Sequence, residues 1–588
     1  MAKKQKKTPS APVLKRLFQD MGKSRRRFGA TLLIVAIAKF SLAMAPSIAN
    51  RITDTMTVFA EQGHTDWGRL LMLCGLLALF YLIGYGADGF VTRSMVRISQ
   101  DLVERLRNRC GEKLNRLSIA LLDSLPLGDT QARVTMDLVN MSNGIESTVA
   151  SLLGYLVLMI AIIVMMLLTE VRLALIYVVF MPLMMLSLQF ITKHTRKLFL
   201  AANRAQGAVS AKVTDSFSNH MILKACGLEE LKLKEFDALN RNFEKKFTRS
   251  RFISGFMRPT SNILAKLSYI AMCALSGVLL IRGKLTLGEF TAFLFYGNMI
   301  GTPLTELSVA INNFQDALSS GARVYEFLDM PEEETPPAEK ELKLGDLQGE
   351  VSFDHVSFRY VPDKPLMEDV SFTARPGQTM AIVGPSGAGK TTLINLLMRF
   401  YEINSGTILL DGTDISKLSK ENLRSAFGMV LQESWLLDGT IEENIAFGKP
   451  GATHEEVTAA ARLAGCDNII RKLPDGYNTH IGPDHMALSA GENQLLAIAR
   501  AVIADPKILI LDEATSQVDT KTEAAITEAM ERMMEGRTTF IIAHRLYTIQ
   551  NADQIIFMVD GDIKEVGNHR ELLEKGGLYA SMYRTGLN

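Results

Sequence analysis

Apolar residues are distributed unevenly along this chain of 588 residues, and this distribution limits its possible folds most strongly. Six apolar windows, each long enough to cross a bilayer, lie at 28–49, 70–90, 149–168, 173–192, 259–281 and 290–311. A hydrocarbon core about 30 Å thick requires roughly 20 apolar residues per helix. We therefore predict six transmembrane helices. Buried helices of a large soluble protein are the alternative, and so many windows in one part of the chain disfavour it.

Basic residues indicate the orientation of these windows. Ten Lys and Arg residues, against the single acid Asp20, precede the first window. The long connections 91–144 and 193–258 are also basic near the bilayer, whereas 169–172 and 282–289 are short and nearly balanced. Because positive charge stays on the cytoplasmic side, we expect both termini and both long connections in the cytoplasm. The net charge of +1 gives no indication of nucleic-acid binding.

The first window is longer than a signal peptide and lacks a small-residue cleavage site, so we expect it to remain as a membrane anchor. The absence of a long amphipathic presequence favours a bacterial plasma membrane over an organelle. The five cysteines are scattered without the spacing of metal ligands, so we expect them to be inert. The sequence thus predicts a multi-pass integral membrane protein.

Changes of pattern along the chain indicate its domains. The two long connections have apolar residues every three or four positions, which predicts membrane helices that continue into the cytoplasm and turn back. The acidic string MPEEETPP, 330–337, is typical of a linker, and strand and helix patterns alternate after it. We predict a basic tail at 1–27, an all-α transmembrane domain at 28–329, a linker at 330–348 and an α/β domain at 349–588.

The string GPSGAGKT, 384–391, has the spacing of a P-loop. An apolar strand pattern precedes it and a helical pattern follows it, as a P-loop requires. Glycines in such a loop let backbone N–H groups surround phosphate oxygens. Lys390 is expected to reach the β and γ phosphates of ATP, and the Thr391 hydroxyl to bind Mg²⁺. The predicted ATP-binding residues here are Gly384, Ser386, Gly387, Gly389, Lys390, Thr391 and Thr392.

A second motif, LSAGENQ at 488–494, is followed by the apolar run ILIL and an Asp-Glu pair. Together with the P-loop, these strings resemble the nucleotide-binding domain of the ATP-binding cassette (ABC) superfamily. The strings DSLPLGDTQARVTMD, 123–137, and NFQDALSSGARVYEFLD, 313–329, are similar to the first intracellular loop and the linker entry of its exporter-type members. The resemblance implies a half-transporter, with a six-helix transmembrane domain fused to an α/β P-loop domain.

The resemblance also implies roles for five residues. Tyr360, which ends VSFRY, matches the aromatic residue that stacks on adenine, and Gln432 in VLQES matches the glutamine that meets Mg²⁺ and the attacking water. Asp512 follows a strand, where its carboxylate can hold the Mg²⁺ shell. Glu513 is the expected general base for the hydrolytic water. His544 in IIAHR matches the histidine that contacts the γ-phosphate.

The LSAGENQ motif implies a dimer. It opens a helix, where the Ser489 hydroxyl and the N–H groups near Gly491 form an anion site that the family uses on the partner subunit's ATP. Ala490 and Glu492 replace the usual Gly and Gln, which predicts a weakened half-site, with harmless drift as the alternative. We therefore expect a heterodimer with an unlike half-transporter, and a homodimer remains possible.

Charged residues within the predicted spans are costly and usually face a cavity or a partner. Lys39, Lys266 and Glu306 are of this kind, and the sequence does not indicate their roles. Polar residues also recur every three or four positions along the sixth span, at Asn298, Thr302, Thr305, Glu306, Asn312, Asn313 and Asp316. This stripe predicts the wall of a water-accessible pathway, and polar contacts between helices are the alternative.

The resemblance implies ATP hydrolysis coupled to transport, with export of a drug-like, lipid or peptide substrate as the leading interpretation. Coupling contacts between membrane and catalytic domains are expected around 118–123 and 215–222. Import of a siderophore-like substrate, or an ATP-gated channel or regulator, are the alternatives. The sequence identifies neither the substrate nor the direction of transport.

Overall fold

The structure is a computed structural model that describes residues 10–62, 66–333, 342–361, 363–431, 435–482, 485–512, 520–543 and 546–585. The chain divides into two compact units. The first contains Met1–Arg116 and Leu125–Pro331, and the second contains Leu117–Ser124 and Glu332–Asn588.

The described part of the chain up to residue 331 is helical. Its helices are α1 (Ser10–Asp20), α2 (Ser24–Gln62), α3 (Trp67–Arg116), α4 (Ile119–Ser124), α5 (Leu127–Val134), α6 (Met136–Gly144), α7 (Ala150–Thr169), α8 (Val171–Ser218), α9 (His220–Cys226), α10 (Glu229–Gly255), α11 (Met257–Ile281), α12 (Leu287–Met299) and α13 (Gly301–Leu328), with a π-helical turn at Ile145–Val149. The short helix α4 groups with the second unit.

Two of these helices are far longer than a bilayer requires. Helix α3 has 50 residues and α8 has 48, and each continues from a predicted span into a predicted cytoplasmic connection. At 1.5 Å per residue both exceed 70 Å, about twice the hydrocarbon thickness. The prediction that membrane helices continue as long arms is confirmed, and α10 packs back along α8.

Five helical stretches of the described residues are long and apolar enough to cross a membrane: Ser24–Glu61, Trp67–Arg116, Leu127–Thr169, Val171–Ser218 and Asn262–Ile281. The sixth predicted window, 290–311, is instead divided between α12 and α13 at Ile300. Pro303 explains the break, because it has no N–H to donate to the carbonyl of Met299 and its ring crowds that carbonyl.

The intramembrane lysines have partners within the first unit. Lys39 Nζ lies 2.9 Å from Asp88 Oδ1, and this ion pair joins α2 to α3. Lys266 Nζ donates to Asn298 Oδ1 at 3.3 Å, between α11 and α12. Pairing lowers the cost of placing an ammonium group in an apolar environment.

The second unit contains strands β1 (Val351–Phe358), β2 (Met367–Ala374), β3 (Thr379–Val383), β4 (Ser405–Leu410), β5 (Thr413–Asp414), β6 (Phe427–Val430), β7 (Gly439–Thr440), β8 (His480–Ile481), β9 (Ile508–Asp512), β10 (Thr538–Ile542), β11 (Gln554–Val559) and β12 (Asp562–Gly567). Its helices after residue 332 are α14 (Lys390–Leu397), α15 (Lys420–Arg424), α16 (Ile441–Ala446), α17 (His454–Leu463), α18 (Asp467–Ile470), α19 (Ala490–Ile503), α20 (Thr520–Met534), α21 (Leu546–Asn551), α22 (His569–Lys575) and α23 (Leu578–Thr585).

A six-stranded sheet in the order β12-β11-β3-β10-β9-β6 forms the centre of this unit. Strands β11, β3, β10, β9 and β6 are parallel, and only the edge strand β12 is antiparallel. β10 is buried throughout and β3 almost so, as expected for parallel strands covered on both faces. A second, antiparallel sheet has the order β2-β1-β4-β5.

The register of the parallel strands fixes the edge at which a ligand binds. Ile542 of β10 pairs with Ile382 of β3 and with Asp512 of β9, so the carboxyl ends of these strands lie side by side. Val430 of β6 pairs with Leu511, which extends the same edge. Ligands of open α/β sheets bind outside the carboxyl ends of the strands.

Candidate nucleotide site

The P-loop connects β3 to α14 at this edge. Gly384 must be glycine, because a Cβ there would lie 2.2 Å from the carbonyl oxygen of Met558. Gly389 has φ +95° and forms the N-cap of α14, a backbone conformation that side chains disfavour. The first backbone N–H groups of α14 have no partner within the helix and are available for phosphate oxygens.

Lys390 is the first residue of α14 and lies across the loop. Its ammonium donates to the carbonyl oxygens of Gly384 at 2.7 Å and Pro385 at 3.0 Å. Burial lowers the pKa of Lys390, and the negative charge of Asp512 opposes this shift. Ser386 and Gly387 of the loop and Thr391, the next residue of α14, are exposed. The loop therefore combines a cation, a helix N-terminus and an accessible hydroxyl, a set that fits a nucleotide phosphate and its Mg²⁺.

Tyr360 lies beside this loop. Its hydroxyl donates to Thr392 Oγ1 of α14 at 3.1 Å, and the residue remains 47% exposed. The rings of Phe358 and Tyr401 contact it edge-on at centroid distances of 4.8 and 4.9 Å. These contacts hold an exposed aromatic ring next to the P-loop helix, where it can stack on a base.

A hydrogen bond that the sequence did not indicate joins Tyr401 to α4. The Tyr401 hydroxyl donates to Asp123 Oδ2 at 2.6 Å. Burial and the neighbouring carboxylate raise the pKa of Tyr401 above its usual range, so the phenol keeps its proton. The predicted coupling segment 118–123 thus contacts the same aromatic cluster as Tyr360.

The remaining predicted catalytic residues follow the aligned strand ends. Asp512 is the last residue of β9 and its charge reaches Lys390. Glu513, Gln432 and His544 lie outside the described residues. Each of them directly follows a described strand end: Gln432 comes after β6 and Leu431, Glu513 after the last residue of β9, and His544 after β10 and Ala543.

The LSAGENQ motif forms the start of α19. Ser489 is its N-cap, and Ser489 Oγ accepts from the backbone N–H of Glu492 at 3.3 Å. The Glu492 carboxylate accepts in return from the backbone N–H of Ser489 and from its hydroxyl, both at 2.8 Å. This is a capping box, which the S-x-x-E spacing could have indicated. The Ser489 hydroxyl therefore already donates its proton to the Glu492 carboxylate. Gly491 is buried in the first turn of α19.

A buried network that sequence reasoning missed supports α16 and α19. The Asn444 side chain accepts from Leu437 N at 2.8 Å and donates to Leu437 O at 2.9 Å. Arg500 of α19 donates to Asn444 and to the carbonyl of Trp435, each at 2.9 Å. Burial lowers the pKa of Arg500. This network holds Trp435 and Leu437, which precede β7, against α16 and α19.

Comparisons with known proteins agree with this geometry. The ABC transporter transmembrane region matches residues 28–304, and the ABC transporter family matches residues 367–516. A fatty acid ABC transporter ATP-binding/permease protein of Mycobacterium bovis is 42% identical over 485 residues, which are 82% of this chain and 76% of that protein. This chain belongs to the ABC transporter family. An ATP-dependent lipid A-core flippase of Syntrophus aciditrophicus is 32% identical over 575 residues, 97% of this chain and 94% of that protein.

The structure of a bacterial Atm1-family ABC exporter with ATP bound is similar to this ABC transporter with a TM-score of 0.79 and 30% identity, over 95% of this chain and 98% of that one. The predicted fold class is confirmed: a helical transmembrane domain is fused to a C-terminal α/β nucleotide-binding domain. The protein binds ATP and couples its hydrolysis to transport across a membrane. Its half-transporter fold implies a dimer in the bilayer.

Proposed function

We propose that this ABC transporter exports an amphiphilic, lipid-like compound. The observation that carries this proposal is a polar cavity of about 410 Å³ between α6, the π-helical turn and α13. Its lining includes Asn140, Asn143, Ser147, Asn313 and Asp316. These residues directly precede the predicted span 149–168 or follow the window 290–311, so the cavity lies where apolar helices end. A polar headgroup fits such a cavity while an apolar chain contacts the helices.

The relatives support the same substrate class, because two of them are described as a fatty acid transporter and a lipid A-core flippase. The cavity also adjoins a buried carboxylate that is already neutralised. Arg323 Nε donates to Asp137 Oδ2 at 2.7 Å, and its guanidinium forms a second bond to the same group. Drug-like compounds with one polar end would satisfy the same chemistry.

For hydrolysis, we propose the roles that the sequence predicts. Lys390 and the loop glycines bind the phosphates, and Tyr360 stacks on adenine. Thr391, Asp512 and Gln432 would hold Mg²⁺, which neutralises charge on the phosphates when bound. Glu513 takes the proton of the hydrolytic water and His544 contacts the γ-phosphate.

For the assembly, we propose a heterodimer in a bacterial plasma membrane with both termini in the cytoplasm. ATP closes the two nucleotide-binding domains, and the long helical arms transmit this closure to the membrane domain. The second predicted coupling segment supports a partner subunit, because Phe217, Met221 and Ile222 are 78%, 85% and 61% exposed. We retain 1–27, 28–329, 330–348 and 349–588 as the proposed tail, membrane domain, linker and nucleotide-binding domain.

Transport into sealed vesicles tests the export proposal. Inside-out vesicles containing the transporter are expected to accumulate a fluorescent fatty acid only with Mg²⁺-ATP, and vesicles with Lys390→Ala are expected not to. Export also predicts that right-side-out vesicles loaded with the fluorescent fatty acid and with Mg²⁺-ATP lose the fatty acid. ATP-dependent uptake by right-side-out vesicles would indicate an importer, and downhill flux alone would indicate a channel.

A further inference from the structure

Two histidines and an aspartate meet beside the short strand pair β7–β8. Asp438 directly precedes β7, His480 begins β8, and His485 follows in the next loop. One potential ligand atom of each residue lies within 4.8 Å of the other two. All three side chains are exposed, so an ion can reach them from solvent.

The backbone brings these residues together from two parts of the chain. β7 pairs with β8 in antiparallel register, with Gly439 opposite Ile481 and Thr440 opposite His480. Beyond β8, the backbone N–H of His485 donates to the carbonyl of Gly482 at 3.2 Å. His485 therefore lies close to His480, with ring centroids 5.3 Å apart.

Glycine at position 482 leaves room for the third ligand. A Cβ at Gly482 would lie 2.4 Å from Asp438 Oδ1, so a side chain there would displace the carboxylate. The cluster therefore depends on a close approach between the chain before β7 and the chain after β8. Glu443 adds a second negative charge nearby, and its carboxylate accepts from Thr440 N at 2.8 Å.

We propose that Asp438, His480 and His485 bind one divalent transition-metal ion of the Zn²⁺ class. Two imidazoles and one carboxylate form a ligand set that suits Zn²⁺, whereas Mg²⁺ and Ca²⁺ prefer oxygen ligands alone. Bonds of about 2.0–2.1 Å place tetrahedral ligand atoms roughly 3.4 Å apart, so small side-chain rotations close the cluster around an ion. Water completes the coordination, because the side chains are exposed.

Other described histidines have simpler surroundings. His454 Nδ1 lies 3.0 Å from Glu442 alone, whereas the carboxylates of Asp369 and Asp354 lie 2.7 and 3.9 Å from the two different ring nitrogens of His355. Within the part of the chain that the structure describes, the cluster at Asp438 alone has three potential ligands. His454 is therefore a matched control, since it is exposed and bonded to a carboxylate in the same region.

A bound ion would restrain the entry to the LSAGENQ helix. His485 lies four residues before Ser489, the N-cap of α19, and Asp438 lies three residues before the start of α16. Coordination would therefore tie the segment that precedes α19 to the segment that precedes α16. Any effect on ATP turnover rests on the proposed function, whereas metal binding and restraint of the loop do not.

Metal titration of the tag-free, EDTA-stripped full chain in detergent tests this site. We expect one Co²⁺ per chain with the visible absorption of a low-coordinate site, displaced by Zn²⁺. His480→Ala, His485→Ala and Asp438→Asn are each expected to weaken binding by at least tenfold, and His454→Ala to leave it unchanged. No stoichiometric binding, or equal binding by His480→Ala and the unsubstituted chain, would overturn the site.

Hydrogen exchange provides a readout that is independent of ATP. Zn²⁺ is expected to slow amide exchange in 480–489 severalfold in the unsubstituted chain, because the turn is held by coordination. The His485→Ala chain is expected to show no such change. Unchanged exchange in the unsubstituted chain at saturating Zn²⁺ would overturn the restraint of this loop.

Discussion

The Tyr401 hydroxyl donates a 2.6 Å hydrogen bond to the carboxylate of Asp123. Asp123 lies on α4, within the first long connection between membrane helices, and Tyr401 follows α14. The Tyr401 ring also contacts Tyr360, the proposed adenine contact, edge-on at 4.9 Å. Three side chains thus connect α4, which lies between α3 and α5 in the chain, to the candidate nucleotide site.

Removal of this hydrogen bond should uncouple substrate from hydrolysis. Tyr401→Phe retains the ring contact with Tyr360 and removes the bond to Asp123. We expect basal ATPase activity to stay within about twofold, since hydrogen bonds contribute modestly, and stimulation by substrate to fall severalfold. Tyr547→Phe is the control, because it removes an exposed 3.0 Å bond to Glu531. Equal stimulation in both variants would show that the Asp123 bond plays no part in coupling.

Two substitutions should affect phosphate binding and activation of the hydrolytic water separately. Lys390→Ala removes the buried ammonium from the P-loop, so we expect it to abolish binding or hydrolysis of Mg²⁺-ATP. Glu513→Gln removes the proposed base and leaves the phosphate site intact, so ATP should bind normally while turnover falls at least a hundredfold. Nucleotide binding and phosphate release measure the two effects. Normal turnover by Glu513→Gln would exclude Glu513 as the base.

The P-loop could be predicted because its strand, loop and helix are consecutive in the chain. The contact of Tyr401 with Asp123 could not, because the two residues are separated by 278 positions and neither has a local signal for the other. The capping box at Ser489 and Glu492 did have a signal, the S-x-x-E spacing. Sequence reasoning considered only that Glu492 would weaken the half-site offered to the partner, and it missed the hydrogen bonds of Glu492 to Ser489.

The membrane domain shows the same distinction. Long apolar windows predicted helices, because hydrophobic length is a local property. The division of the window 290–311 at Ile300 depends on Pro303, whose backbone effect a hydropathy window does not register. The partners of Lys39 and Lys266 lie on neighbouring helices, and tertiary packing alone determines them.

The polar stripe should respond to the transport cycle. Asn298 and Thr302 are exposed in the structure, whereas the side chain of Thr305 lies outside its described part. In a cysteine-free background, cysteines at 298 and 302 should react with a membrane-impermeant thiol reagent from the cytoplasmic side without nucleotide. Trapped ATP should protect them. A cysteine at Phe295, exposed but off the stripe, is the control, and equal reactivity in both states would instead indicate polar contacts between helices.

The contact between Glu333 and α15 should be sensitive to acid. Burial raises the pKa of Glu333, but hydrogen bonds from Arg424 at 2.9 Å and Lys420 at 3.1 Å outweigh it and hold the pKa below the ordinary 4.5. Because the folded pKa is the lower one, this stabilisation is complete above about pH 4.5 and is lost as the pH falls through the folded pKa.

Glu333→Gln should therefore destabilise the protein by about 1.5–3 kcal/mol at pH 7, the range for a hydrogen bond to a charged group. The difference from the unsubstituted chain should shrink as the pH falls below 4.5. Thermal unfolding midpoints across this range measure both effects. Glu528→Gln is the control, because its partner Arg532 is exposed on the same helix. A difference of constant size at every pH would contradict this account of Glu333.

The final prediction concerns the unequal ATP sites of the proposed heterodimer. Glu492 caps α19, and its carboxylate accepts hydrogen bonds from the backbone N–H and the hydroxyl of Ser489. It also adds negative charge at the helix N-terminus, where the partner's phosphate would bind. Glu492→Gln keeps an acceptor for the capping box and removes the charge. In the subunit purified alone, we expect slow ATP turnover, raised about fivefold by this change, which corresponds to roughly 1 kcal/mol at a helix terminus. Glu443→Gln is the matched control, since Glu443 closes the same kind of capping box with Thr440 in α16.

A stable homodimer of the unsubstituted chain, with brisk substrate-stimulated hydrolysis at two equivalent sites, would refute the heterodimer and show that Ala490 and Glu492 are neutral replacements.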